Sequence, residues 1–174
     1  MLRKNCILKS ITVLAVMVMS IGLLTGCEMK FGKDKNEKSE EVAYEQPVIN
    51  FVEGLGEANS EKFLKAFPSF ISDNEYMKNT FTNEYLQGVL KNAEENYGAN
   101  IKMTCKITNK EDIAEENLKT MQEDVKTYYN KEITITKGYK LSAEITTKGD
   151  NEEDVDTEDF EVYEIDGNWY MLDL

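Results

Sequence analysis

Few residues in this chain have the type and spacing to do chemistry, and the densest set is an acidic run near the C-terminus. Asp150, Glu152, Asp154 and Asp156, with Glu161 in twelfth position, partly fit the calcium loop that joins two helices. Two departures weigh against it. Val155 stands where the sharp turn needs glycine, and strand patterns rather than helical ones flank residues 150–161. The run therefore reads as a solvated acidic connection between Lys148 and Phe160. A second set is aromatic: Tyr128, Tyr139, Tyr163, Trp169 and Tyr170 could line a ligand cavity, or be ordinary core. Cys105 falls on the apolar side of an alternating segment, where a thiol is inert packing. The chain has no histidine, which removes the commonest general base, the commonest zinc ligand and any Ser-His-Asp arrangement. No phosphate-cradling glycine loop or nucleophile elbow is present, so no catalytic, metal or cofactor-binding set and no cofactor are expected.

The N-terminus carries a different kind of chemistry. Met1-Leu2-Arg3-Lys4 is followed by an apolar stretch at residues 11–24 and then by Leu24-Thr25-Gly26-Cys27. A basic start, a short apolar core and small residues before a cleavage point make a secretory signal. Leu24 to Cys27 further resembles the lipobox of bacterial lipoproteins. That resemblance implies cleavage after residue 26 and a palmitate-type diacylglycerol anchor on the Cys27 thiol, facing outward from the cell membrane. Fourteen apolar-stretch residues fall short of the about 20 that a spanning helix needs. Two acyl chains suffice for stable anchoring.

Without residues 1–26 the chain keeps 148 residues, the size of one domain, with 17 basic against 33 acidic residues and a formal charge of −16. Such a surface repels nucleic acid and anionic headgroups, so lipid rather than charge must hold the protein to its membrane. Cys6 leaves with the signal and Cys27 is consumed by lipid, leaving Cys105 as the one free thiol. No internal disulfide can form, and the domain must stand on its core.

Those chemical groups need elements to hold them. Residues 27–46 are rich in Lys, Glu, Asn and Ser and read as a disordered tether spanning roughly 25 Å. From Pro47 to the end, residues 47–174, the pattern is that of a single domain. Pro47 suits a first helical position, and Val48, Phe51, Val52 and Leu55 follow helical spacing until Gly54 and Gly56 weaken it. Asn59 caps a second helix that Pro68 breaks, and a third carries Phe81, Tyr85, Val89, Ala93 and Tyr97 to a C-cap at Gly98. Ile101, Met103, Cys105 and Ile107 then alternate as a half-buried strand. A helix at about residues 112–129 presents Ala114, Leu118, Met121, Val125 and Tyr128. A long strand from Ile133 follows, with a bulge or bend expected at Gly138. Asp166-Gly167 turns a closing hairpin whose strands are apolar on both faces. The order predicts an α+β fold, with helices on one face of a curved, mostly antiparallel sheet.

Val48-Ile-Asn-Phe-Val52 and Asn59-Ser-Glu-Lys-Phe-Leu-Lys-Ala-Phe-Pro68 resemble the opening helices of small lipoproteins in the nuclear transport factor 2 superfamily. Val162-Tyr-Glu-Ile-Asp-Gly-Asn-Trp-Tyr170 resembles their last hairpin. The resemblance implies a cystatin-like α+β cone, often with a cavity at its wide end. Enzymes of the superfamily use Asp/His or Tyr/Asp sets there, and the histidine-bearing sets cannot exist here. The leading expectation is a non-enzymatic, membrane-anchored domain binding a ligand or protein. The alternatives are a cavity enzyme using a carboxylate and a tyrosine as acid and base, and an assembly module whose sheet face forms a homodimer.

Overall fold

Pro47 begins helix α1 (Gln46–Gly56), which buries Val48, Phe51, Val52 and Leu55. In the computed structural model, residues 43–172 are described; the signal, the lipid site at Cys27 and the tether as far as residue 42 lie outside the described residues. The fold starts earlier than Pro47, because Tyr44 is already buried in the core. Gly54 does more than weaken α1: a Cβ there would lie 2.4 Å from the backbone nitrogen of Phe63. Its hydrogen lets α2 (Ser60–Leu64) pack directly on α1. Asn59 caps α2 as expected, its side chain accepting from the Lys62 N–H at 3.0 Å.

After Pro68 come two short helices, α3 (Ser69–Ser72) and α4 (Glu75–Thr80), before the long α5 (Asn83–Tyr97). The third helix therefore starts two residues after Phe81. Thr82 interrupts the run because its hydroxyl accepts from the Tyr85 N–H at 3.2 Å, capping α5. Gly98 closes α5 with a φ of +81°, a conformation that side chains resist.

Strands β1 (Lys102–Asp112), β2 (Ile135–Lys148), β3 (Glu153–Ile165) and β4 (Asn168–Met171) form one antiparallel sheet in sequence order, with α6 (Glu115–Tyr129) between β1 and β2. Two bulges set its faces. One falls between Ile107 and Asn109 in β1; the other lies between Ile135 and Lys137, at Thr136 rather than Gly138. Gly138 serves packing instead, since a Cβ there would meet Leu118 of α6 at 2.7 Å and Tyr163 at 3.1 Å. Asp166 (φ +52°) and Gly167 (φ +76°) make the predicted two-residue turn, pairing Ile165 with Asn168.

The fold is α+β with an open four-stranded sheet, but the helices are not confined to one face. Phe160 and Val162 point to α1, with Phe160 6.1 Å from Phe51. Tyr163 points the other way, beside Leu118 of α6. That sandwich explains why the closing hairpin is apolar on both parities. No helix among the described residues is long and apolar enough to cross a membrane.

Candidate functional site

The aromatic residues do not line one cavity. Tyr128 is 65% exposed near the end of α6; Tyr129 is the one turned inward, against Phe70 at 5.6 Å. Tyr163 is only 2% exposed and faces α6, with Tyr170 opposite it on β4. The Tyr163 hydroxyl donates to the Glu161 carboxylate at 2.5 Å. Burial foremost, then that bond, raises the Tyr163 pKa far above the ordinary tyrosine value. A tyrosine held so firmly in its protonated form is a poor proton donor near neutrality. Among the described residues, a small apolar crevice of about 10 Å³ lies between α1, α2 and α5, walled by Phe51, Leu55, Phe63, Phe81, Leu86 and Val89. It would hold at most one water.

Tyr139 and Trp169 do come together. Tyr139 on β2 and Trp169 on β4 stack at 4.9 Å with an angle of 13°. Tyr44, entering α1, stands edge to face against both, at 5.1 Å from Tyr139 and 6.0 Å from Trp169. Lys110 of β1 completes the group, its Nζ 4.7 Å from the centroid of Tyr44 and 4.7 Å from that of Tyr139. This is a cation–π corner, in which the negative faces of two rings hold one ammonium. Trp169 takes the remaining face of Tyr139 and fixes its plane.

Lys110 and Tyr44 escaped the sequence pattern for definite reasons. Alternation from Met103 through Ile107 puts Lys110 on the face away from α1, but the extra residue at Thr108 flips the parity and brings it, still exposed, onto the face that carries Tyr139. Tyr44 was legible only as one larger group in a polar stretch, and what it packs against lies about a hundred residues later.

The acidic run is neither a calcium loop nor a loose connection. Residues 149–152 form a tight turn docked on the end of α5: Asp150 N–H donates to the Ala99 carbonyl and Asn151 N–H to the Tyr97 carbonyl, each at 2.9 Å. Asn100 Nδ2 donates to Asp150 at 2.9 Å. From Glu153 the acids lie on β3, alternating between faces over about 27 Å, too dispersed for one ion. No group of acids able to hold a metal ion occurs among the described residues. Asp154, Asp156 and Glu158 share the helix-facing side, where burial foremost and neighbouring acids raise the Asp156 and Glu158 carboxyls. Cys105 is partly buried beneath α1, and burial pushes its thiol up to about 11, consistent with inert packing.

The site built by these residues is thus a half-buried corner, with Tyr44 in the core, Tyr139 and Trp169 half-buried and Lys110 exposed. No family model, curated protein sequence or solved structure matches this chain, so the corner stands on its own geometry.

Proposed function

We propose that the protein is a non-enzymatic binding domain, held by lipid on Cys27 at the outward face of the bacterial cell membrane and acting through its surface. The observation that carries the binding role is the aromatic corner, where Tyr44, Tyr139 and Trp169 gather beside the Lys110 ammonium. The chain has no histidine and so no imidazole acid or base, which favours binding over catalysis as the reading. Supporting the anchor are the basic start, the apolar stretch and Leu24-Thr25-Gly26-Cys27. We read the architecture as a relative of the nuclear transport factor 2 cone. Its helices-first order, long bent strand and closing Asp-Gly hairpin support that likeness.

The anchor is tested by fractionating cells that carry wild type or Cys27→Ser. Wild type should sediment with membranes and need detergent for release, while Cys27→Ser should lose that attachment. Equal release of both proteins into the medium would overturn the proposal.

A further inference from the structure

We propose that the corner formed by Tyr44 and Tyr139 is a binding site for organic quaternary ammonium groups, and that Lys110 is its resident competitor. The proposal deepens the binding role above by naming a ligand class, and rests on that role. The two rings meet at 69° with centroids 5.1 Å apart, so their faces converge on one point. The Lys110 ammonium marks that point at 4.7 Å from both centroids. Trp169, stacked behind Tyr139, holds that wall in place.

Among the described residues Lys91, Lys102, Lys110, Lys131 and Lys137 make no ion pair, whereas Lys62, Lys65, Lys78, Lys106, Lys119, Lys126, Lys140 and Lys148 each reach a carboxylate. Lys110 is held by the two rings instead. Lysine is a compact, strongly hydrated charge that gives up solvent when it meets an aromatic face. A trimethylated ammonium is less hydrated and presents methyl groups to both rings, which is the chemistry aromatic corners recognise. Lys110 is exposed, so its head can swing into water when displaced. Asp112 lies beside Tyr139 in the sheet register, and the strongly negative chain enriches cations at its surface.

The test uses full-length protein in a non-ionic detergent and the emission of Trp169, its only tryptophan. Choline chloride is titrated against sodium chloride at matched ionic strength. In a second arm the detergent is removed and the protein reconstituted into phosphatidylcholine or phosphatidylglycerol vesicles, separating a free solute from a lipid headgroup as the source. Wild type should give a saturable change with choline, or with phosphatidylcholine vesicles alone, that sodium chloride and phosphatidylglycerol do not produce. Lys110→Ala should bind about threefold tighter, because the competing cation–π contact is gone. Tyr139→Leu should abolish the response. Cys27→Ser should respond to choline as wild type does, so failure of the anchor and failure of this site are distinguishable. Equal changes with sodium chloride, or unchanged or weaker affinity in Lys110→Ala, would overturn the proposal.

Discussion

Replacing Trp169 with Ala removes a ring stacked on Tyr139 at 4.9 Å and an edge contact with Tyr44 at 6.0 Å. Because the indole is half-buried, the cost should be about 2–3 kcal/mol, below that of a fully enclosed aromatic. Urea unfolding followed by circular dichroism measures it; a change under about 0.5 kcal/mol would mean that the stack contributes no packing. Tyr163 gives a pH signature. Burial and Glu161 raise its folded-state pKa, so the stability it contributes is fully present below about pH 10, the ordinary tyrosine value, and is lost as pH rises above that. Wild-type stability should fall from about pH 10 upward, and Tyr163→Phe, which cannot ionise, should flatten the decline. Equal slopes in the two proteins would show that the hydroxyl is not desolvated.

Secondary structure was the legible level, because burial on one side imprints its period on the chain. The cap at Asn59 and the turn at Asp166-Gly167 were legible from residue chemistry, whereas the cap at Thr82, which starts α5 after Phe81, was not. Tertiary packing was not legible: it put α6 across the sheet from α1 and paired the acidic run as β3. Acidic strands carry little apolar pattern, and pairing with β2 supplies the order that pattern lacks. The glycines make the same point quantitatively. Gly54→Ala would drive a Cβ to 2.4 Å from the Phe63 nitrogen and should cost about 3 kcal/mol or more by forcing α1 off α2. Gly88 in α5 meets nothing within 4 Å, so Gly88→Ala should stabilise by up to about 1 kcal/mol through helix propensity. Thermal melts of the two variants should move in opposite directions, and melts shifted the same way would contradict the packing described.

For the whole molecule, the core must supply the stability, since Cys105 is the one free thiol among the described residues and no metal-holding group occurs among them. A fragment of residues 43–172 should unfold cooperatively at a midpoint unmoved by chelator or reductant. A fragment starting at residue 47 loses Tyr44, which is 8% exposed, and should be weaker by about 2–4 kcal/mol. Equal stability of the two would return Tyr44 to the tether. The proposed lipid anchor on Cys27 is the central claim, and it concerns the N-terminus. Its most direct measurement is the intact and peptide mass of protein extracted from membranes. A chain beginning at a diacylated Cys27, with residues 1–26 absent, is the expected result; a membrane-bound protein retaining Met1 and an unmodified Cys27 thiol would contradict the account.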